Sequence, residues 1–337
     1  MASIFLAMGV QMVPAHAGDL GIVTRGAAED EALRDVYLRP FAAATRIGVR
    51  TDLQWDGRLD SLRAHVKAND DGWDVILTEA ATLQPGCEDG LLDKIDWPAM
   101  GGKDRYLPIA VSDCSVGAFL SAIVLSWDRD KLSGNPGWAE FWDVARIPGK
   151  RGLFRGPRGN LEFSLLADGV APGDIYKQLR TADGLDRAFR KLDQLRPFIV
   201  WWSAGSPALD LLASGEVLMT SAPNGRVSAA NRTSQRNFGV QWSGGLARVN
   251  HWAIVKGAPN ARAAQQFLYF AGTSAIQARL LPHGGLTKGM LDFMMADAQA
   301  LAPVQPANLA AMLPADEAFW RENLEKLAQR FNDWLAR

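Results

Sequence analysis

The order of strand-like and helix-like segments in the first part of the chain constrains its fold most strongly. Short apolar runs predict three buried strands, in DLGIVTRG, GVRTDLQW and WDVILTE, and the first of them ends at Gly26. Between these runs, apolar residues recur at helical spacing in EDEALRDVYLRPFAAATRI and RLDSLRAHVKAN. Strands that alternate with helices in this way predict a parallel α/β sheet.

The carboxyl ends of these strands carry the first candidate binding residues. In open α/β sheets, ligands bind beyond the carboxyl ends of the strands. The three strands therefore bring three tripeptides to one edge of the predicted sheet, namely Thr24-Arg25-Gly26, Trp55-Asp56-Gly57 and Thr78-Glu79-Ala80.

Two arginines near presumed strand ends are candidates for binding an anion. A guanidinium group presents a planar pair of donors that matches a carboxylate, so Arg25 and Arg248 could clamp one. A solvated side chain or a structural salt bridge is the alternative for each. Arg248, Asn250 and His251 interrupt the apolar strand pattern of GGLARVNHWAIV. These polar residues are either satisfied structural groups or the wall of a binding site.

A second α/β section is predicted after the apolar segment VGAFLSAIVLSWD, residues 116–128. It contains a helix around DGLDRAFRKLDQL, the segment PFIVWWSAG and the strand EVLMTSAPNGR, and an amphipathic helix near residues 319–334 closes the chain. Asn224 and Arg226 lie just past the strand, where the sequence PNGR is interpreted either as a turn or as a ligand contact.

Composition and motifs exclude several functional classes. The formal net charge is -1, and Lys and Arg form no run that would attract a nucleic acid. The sequence has no P-loop, no GxGxxG that opens a helix and no GxSxG nucleophile elbow. Its four His, at positions 16, 65, 251 and 283, make no metal-ligand spacing, so neither a metal nor another cofactor is predicted.

The amino-terminal residues predict a secretory signal peptide over residues 1–17. The apolar stretch 4–13 is too short to span a bilayer, and Ala15-His16-Ala17 supplies a small-x-small cleavage pattern. No later segment is long and apolar enough for a transmembrane helix. The expected location is therefore the periplasm.

Both cysteines, Cys87 and Cys114, follow the predicted signal peptide. An even count in an exported chain favours a disulfide, because such compartments oxidise paired thiols. The alternative is an enzyme in which Cys114 is the nucleophile and His251 or Glu79 is the base.

Several longer segments occur along the chain in the same order as in a known protein family. They are DVILTEAATLQPGCEDGLLDKIDW, PGWAEFWDVARIPGKRGLFRGP, LLASGEVLMTSAPNGR and KGAPNARAAQQFLYFA. Together they resemble the periplasmic solute-binding proteins of polyamine-type ABC importers, the spermidine/putrescine-binding family. The similarity extends over nearly the whole chain that follows the predicted signal peptide.

The resemblance implies a type II periplasmic-binding-protein fold of two lobes. Each lobe would be a mainly parallel sheet flanked by helices, and two crossover strands would join the lobes. The amino-terminal lobe would comprise residues 18–124 plus 249–296, and the carboxyl-terminal lobe residues 125–248 plus 297–337. The resemblance further implies a monomer without enzymatic activity that closes on a small solute and delivers it to an inner-membrane permease.

The resemblance also implies that the ligand binds in the cleft between the lobes. The residues expected on the first wall are Arg25, Trp55, Asp56, Glu79 and Ala80, with Phe119 and Ser121 near the first crossover strand. The residues expected on the second wall are Arg158, Glu162, Trp201, Trp202, Asn224 and Arg226, with Arg248 and Asn250 at the second crossover strand.

The predicted site departs from the family pattern. Arg248 and Pro223 stand where the family has aromatic residues, Asn250 stands where it has Asp, and Pro157-Arg158-Gly159-Asn160 replaces an acidic pair. Each lost carboxylate would cost a polyamine about 1.5–3 kcal/mol, and the added arginines would repel it.

These changes predict a ligand that bears a carboxylate, such as an amino acid, an ω-amino acid or an opine-like compound. Its amine would be held by Glu79 or Asp56. Two alternatives remain open: binding of spermidine or putrescine, as in the family, and a binding protein that signals to a membrane receptor.

Overall fold

The computed structural model describes residues 18–24, 33–50, 55–68, 72–203, 208–280, 286 and 303–337. The predicted signal peptide and the candidate ligand residue Arg25 lie outside these described residues. The strands are β1 Leu20–Val23, β2 Val49–Arg50, β3 Val75–Glu79, β4 Val116–Asp128, β5 Arg151–Phe154, β6 Ile199–Trp202, β7 Met219–Pro223, β8 Phe238–Ile254 and β9 Leu313–Pro314.

Helices flank these strands, and a π-helical segment, Arg34–Leu38, leads directly into the first of them. The α-helices are α1 Arg39–Thr45, α2 Leu59–Ala68, α3 Ala80–Glu88, α4 Trp138–Trp142, α5 Asn160–Ala167, α6 Ile175–Leu179, α7 Ala182–Leu195, α8 Ala208–Ser214, α9 Asn224–Thr233, α10 Ala261–Ala271, α11 Ser274–Gln277, α12 Pro306–Ala311 and α13 Glu317–Leu335.

The sheet has the order β2-β1-β3-β8-β4-β7-β5-β6, and β9 pairs with β8. In its first half, β1 pairs in parallel with β2 and β3, as the strand and helix alternation predicts. In its second half, β5 pairs in parallel with β6 and β7. Each half therefore presents the carboxyl ends of its parallel strands at one edge, where ligands of such sheets bind.

Two long strands, β4 and β8, join the two halves. β8 pairs antiparallel with β3 and with β4, and β4 pairs antiparallel with β7. The result is a pair of mainly parallel sheet halves connected by two crossover strands, which is the two-lobed α/β arrangement expected from the sequence.

The two largest hydrophobic clusters lie on the two halves of the sheet. In the first, Phe267 of α10 packs edge to face against Phe41 of α1 and Trp252 of β8. In the second, the rings of Trp138 and Phe163 stack with their centroids 3.8 Å apart.

The carboxyl-terminal helix α13 belongs to the second cluster. Its buried residues, which all face that cluster, are Phe319, Trp320, Leu327, Phe331 and Trp334. The helix begins after Asp316, whose side chain accepts a hydrogen bond of 2.8 Å from the Phe319 amide and so satisfies one of the free N–H groups at the helix start. It also contacts α3 of the first half.

A disulfide joins Cys87 in α3 to Cys114, which lies just before β4, and their Cα atoms are 5.8 Å apart. This confirms the predicted pairing. Because both sulfur atoms are bonded to each other, Cys114 offers no thiolate, which rules out the alternative of a nucleophilic Cys114. Among the described helices, none has the length and apolar character that crossing a membrane requires.

The sequence PNGR begins a helix instead of a turn. Pro223 has an extended backbone, with φ -63° and ψ 126°, and α9 starts at the next residue, Asn224. Pro is compatible with this position because its missing N–H would lack a helical partner there in any case.

Candidate ligand-binding site

A cavity of about 220 Å³ lies beyond the carboxyl ends of β5, β6 and β7. The strands contribute residues at their ends, the crossover strands form a further wall, and the loop that enters α5 closes the remaining side. The cavity is lined by Ile123, Phe154, Arg158, Gly159, Asn160, Phe163, Trp202, Ser221, Pro223, Leu246 and Arg248.

Four polar atoms of this lining are buried without a hydrogen-bond partner among the described residues. They are Arg158 Nε, Trp202 Nε1, Ser221 Oγ and Arg248 Nε. Ser221 is 1% exposed and Trp202 is 8% exposed. A buried polar group that lacks a partner costs about 1–3 kcal/mol, so four such atoms on the residues of one lining make this cavity the candidate site for a polar ligand.

The chemistry of these groups favours an anionic ligand group. The two guanidinium groups and the Trp202 indole donate hydrogen bonds, and the Ser221 hydroxyl can also donate. No Asp or Glu is found among the described residues that line the cavity. A carboxylate, which accepts up to about four hydrogen bonds, matches this set of donors.

Apart from Asn160, whose Nδ2 donates to the Phe154 and Gly156 carbonyls, the rest of the lining is apolar. Ile123, Phe163 and Leu246 form much of this surface, and the Phe154 ring stands edge to face against Trp202 with 5.1 Å between ring centroids. The cavity can therefore hold a short hydrocarbon chain as well as a carboxylate.

Glu79 approaches the cavity from the first half of the sheet. Its Oε1 lies 3.6 Å from Nη1 of Arg248, and the two side chains are 14% and 28% exposed. The sheet register explains this contact, since Glu79 at the end of β3 pairs with Asn250, two residues from Arg248 on the same face of β8. A carboxylate that could accept a ligand amine is thus held beside an arginine that could bind a ligand carboxylate.

Arg158 has an acidic partner as well. Its Nη2 donates to Oε1 of Glu317, the first residue of α13, and both side chains are largely buried. Burial alone would lower the pKa of Arg158, but the nearby Glu317 and Glu79 carboxylates outweigh burial and raise it above its ordinary value. Arg158 is therefore cationic, as a carboxylate ligand requires.

Three other predicted polar residues contact the crossover strands or lie on them. Asn250 donates from Nδ2 to Ser121 Oγ across 3.4 Å, and Ser121 stands opposite Arg248 in the β4–β8 register. Asn224 Oδ1 accepts a hydrogen bond of 2.9 Å from the Ala122 amide and so ties α9 to β4. These contacts fix the strands beside the cavity, although none of the three residues lines it.

The Glu162 carboxylate is hydrogen-bonded to protein donors, and Glu162 does not line the cavity. It is fully buried, and its carboxylate accepts from the Gly159 amide at 2.8 Å, from Tyr176 Oη at 2.9 Å and from Trp320 Nε1 at 2.7 Å. The prediction that it contacts the ligand is therefore not supported by its position, because protein donors occupy its oxygens. It connects the start of α5 to α13.

Two predicted residues of the second wall, Trp201 and Arg226, do not line the cavity. Trp201 packs edge to face against Phe331 and Trp334 of α13. Arg226 is exposed on the first turn of α9. Neighbouring positions thus differ in role: Trp202 lines the cavity, whereas Trp201 belongs to the second hydrophobic cluster.

The described first-wall residues other than Glu79 have mainly structural contacts. Trp55 donates from Nε1 to the Leu77 carbonyl at 3.3 Å, and the exposed Asp56 accepts from the Arg58 amide and Ser61 hydroxyl at the start of α2. These hydrogen bonds lower the pKa of Asp56. Ala80 begins α3, and Phe119 is fully buried in the first hydrophobic cluster.

Sequence reasoning did not identify Ser221 or Glu317. Ser221 lies in the buried strand β7, where no sequence motif marks it as a binding residue. It becomes a candidate only because the structure leaves its hydroxyl without a partner among the described residues. Glu317 lies 159 positions from Arg158 along the chain. A long-range pair of this kind has no sequence spacing that could predict it.

A larger cavity, of about 650 Å³, lies between α10 and the loop around Ile95 and Met100. None of the buried polar atoms that lack a partner among the described residues belongs to its lining. The smaller cavity is therefore the better candidate for a polar ligand. No group of three or more His, Cys, Asp or Glu side chains in the described ranges could hold a metal ion.

Comparison with known proteins supports the fold and identifies the family. The profile of a family described as bacterial extracellular solute-binding protein matches residues 37–320. The γ-aminobutyric acid-binding protein of Pseudomonas aeruginosa is 37% identical over 327 residues, which cover 96% of this chain and 92% of that protein.

Two solved structures are similar over almost their whole length. An ABC transporter substrate-binding protein from Bradyrhizobium japonicum USDA 110 has a TM-score of 0.82 and 29% identity, with 94% of this chain and 99% of that one covered. The Atu4243-GABA receptor has the same TM-score and identity, with 95% of this chain and 98% of that one covered. Both confirm the expected fold class.

Proposed function

This chain belongs to the family of bacterial extracellular solute-binding proteins, and from that premise we propose that it captures a small ω-amino acid such as γ-aminobutyric acid (GABA). Its relatives are transport proteins and not enzymes, and the chain is the substrate-binding component of an ABC transporter.

The observation that carries the proposal is the set of unsatisfied donors in the 220 Å³ cavity. Arg158, Arg248, Trp202 and Ser221 would donate to the ligand carboxylate, and hydrogen bonds between charged groups are about twice as strong as neutral ones. Drug-sized ligands occupy pockets of about 300–1,000 Å³, so a smaller cavity suits a small solute.

Glu79 would receive the amine at the other end of the ligand. It stands at the end of β3 in the first half of the sheet, whereas the donors come from the second half and from β8. A zwitterion could therefore contact both halves at once, with its methylene chain against the apolar lining. The named ligand of the Pseudomonas relative has a carboxylate, a short chain and an amine, in keeping with this arrangement.

The same arrangement argues against spermidine and putrescine as ligands. A polyamine has no carboxylate for the unsatisfied donors, and its ammonium groups would face Arg158 and Arg248. Each charge-assisted hydrogen bond that is not formed forfeits about 1.5–3 kcal/mol. The added arginines would thus have converted a polyamine-type cleft to carboxylate recognition.

The cellular location, the oligomeric state and the lobe boundaries of the protein are further parts of this proposal. We expect a monomer in the periplasm, exported by the predicted signal peptide, that hands its ligand to an inner-membrane permease. The lobes would comprise residues 18–124 plus 249–296 and residues 125–248 plus 297–337. β4 and β8 would then serve as the crossover strands between them.

The test is a thermal-shift screen followed by calorimetric titration. The panel contains GABA, 5-aminovalerate, α-amino acids, an opine, putrescine and spermidine. A ligand present at 100 times its Kd adds about 2.7 kcal/mol to the free energy of unfolding, which gives a measurable rise in Tm. GABA or another ω-amino acid should produce this rise. A rise with putrescine or spermidine alone would refute the proposal.

Native mass spectrometry of the purified protein, performed before the screen, provides the control for a ligand carried through purification. A bound mass that is released by partial unfolding identifies such a ligand. The screen is then repeated on the refolded protein, so that an occupied site is not mistaken for a site that binds nothing.

A further inference from the structure

Glu317 is a second acidic residue beside the cavity, and it reaches this position from the carboxyl-terminal helix. Its Oε1 accepts from Arg158 Nη2, and its side chain is 14% exposed. Its other oxygen, Oε2, is buried without a hydrogen-bond partner among the described residues. The pair between Arg158 and Glu317 thus leaves bonding capacity unused on both partners, since Arg158 Nε also lacks a partner.

The two arginines of the cavity are each matched by one carboxylate outside its lining. Arg248 pairs with Glu79, and Arg158 pairs with Glu317. The two pairs also interact with each other, because Glu79 acts on Arg158 and Arg248 acts on Glu317. Glu162 stands behind Arg158 and adds further negative charge on that side.

Because each arginine of the cavity is paired with a carboxylate, the site should favour some ligands over others. A carboxylate without an amine would bring negative charge into a poorly solvated site where each guanidinium already has an acidic partner. Buried charge without compensation is costly. A zwitterion brings its own positive charge and avoids this cost.

We propose that Glu317 selects zwitterions over simple carboxylates by compensating the charge of Arg158 from outside the cavity. The inference rests on the proposed function, in which Arg158 binds the ligand carboxylate. If Glu317 is made neutral, Arg158 loses its paired carboxylate and more of its charge becomes available to any ligand carboxylate, so the requirement for a ligand amine weakens.

A purely structural role of Glu317 in α13 predicts a different result from charge compensation of Arg158. A negative side chain in the first turn of a helix stabilises that helix, and Glu317 is the first residue of α13. Loss of stability in a variant would therefore say nothing about ligand choice. The ratio of affinities for two ligands that differ only in the amine is a measurement that helix stability does not change.

The experiment compares GABA with butyrate, which has the same carboxylate and chain but no amine. Calorimetric titration gives both affinities for the wild-type protein and for Glu317→Gln. The preference for GABA over butyrate should fall by about tenfold or more in the variant, as expected for one charge-assisted contact. The matched control is Glu322→Gln, on the same helix but with a side chain 56% exposed, which should keep the wild-type preference.

Glu317→Asp gives a second measurement in case Glu317→Gln does not fold. It keeps the negative charge at the helix start and withdraws the carboxylate from Arg158, so the preference should again fall. Unchanged preference in the folded variants would overturn the inference while leaving the proposed function intact. A wild-type protein that binds neither GABA nor any other ω-amino acid would refute the proposed function, and the inference with it.

Discussion

Trp201 and Trp202 are adjacent in β6, yet they face opposite sides of the sheet. Trp201 packs against Phe331 and Trp334 of the carboxyl-terminal helix, whereas Trp202 lines the cavity beside Phe154. The alternation of side chains along a strand produces this difference. The two tryptophans therefore form a matched pair for separating stability from ligand binding.

Trp202→Phe removes the unsatisfied indole N–H and keeps an aromatic ring. We expect the affinity for the ligand carboxylate to fall by about tenfold, with an unchanged or higher Tm of the unliganded protein, because an unsatisfied buried donor is lost. Trp201→Phe should show the reverse: a loss of about 1 kcal/mol of stability from poorer packing, with unchanged affinity. Calorimetric titration and thermal melting distinguish these outcomes, and equal effects of the two substitutions on affinity would contradict this assignment.

Arg248→Ala removes one of the two guanidinium groups of the cavity. We expect a loss of about ten- to a hundredfold in affinity for the true ligand, which corresponds to one charge-assisted contact of about 1.5–3 kcal/mol. The control is Arg226→Ala, which removes an exposed arginine of α9 and should leave the affinity unchanged. Titration of both variants checks this prediction, and it fails if Arg248→Ala binds as tightly as the wild type.

The Cys87–Cys114 bond should contribute about 3–4 kcal/mol to the free energy of unfolding. The two cysteines are 27 positions apart, and closing a loop of that size restricts the unfolded chain. Urea unfolding of the double variant Cys87→Ser/Cys114→Ser, compared with the wild type, measures the contribution. Titration of thiols in the unreduced, denatured protein should find none, and two reactive thiols would show that the bond does not form.

Stability should also fall at acidic pH because of His251. Burial lowers the pKa of His251 to about 4, although the nearby Glu79 carboxylate opposes this shift. In the unfolded chain the pKa of His is about 6.5. Between these pH values the unfolded chain binds a proton at His251 that the folded protein does not. The contribution of His251 to the free energy of unfolding is therefore complete above about pH 6.5 and is lost as the pH falls towards 4.

Urea unfolding at pH 7 and pH 5 measures this dependence. His251→Gln should reduce the difference in unfolding free energy between the two pH values, since it removes the titrating group and can still bond to Ser115, whose Oγ lies 3.1 Å from His251 Nδ1. Identical pH dependence in His251→Gln and the wild type would exclude His251 as the cause.

The fold could be predicted from the sequence because its elements follow local patterns. Apolar runs and helical spacing identified β1, β3 and the helices between them, and the even cysteine count indicated the Cys87–Cys114 bond. The start of α9 at Asn224 was not predicted, because Pro, Asn and Gly favour turns locally and the packed helix outweighs that preference.

The site was predicted only in part, for a physical reason. Arg158, Trp202 and Arg248 were identified from aligned positions, and the structure places them in one lining. A sequence pattern does not reveal whether a side chain already has partners. Glu162 proved to be saturated by protein donors, while Ser221 and Glu317 each retain an oxygen atom without a partner among the described residues.

Because β8 pairs with β3 and β4 over long sequence separations, we expect the ligand site to form late in folding. This strand places Asn250 opposite Glu79 and Arg248 opposite Ser121, and both pairs join residues that are far apart in the chain. Such non-local pairings form slowly, because long loops must close before the contacts form. An incomplete chain that ends before β8 lacks Arg248, the ion-pair partner of Glu79, so we expect that the solute does not serve as a template for the early steps of folding. It can stabilise only a chain whose crossover strands have already assembled.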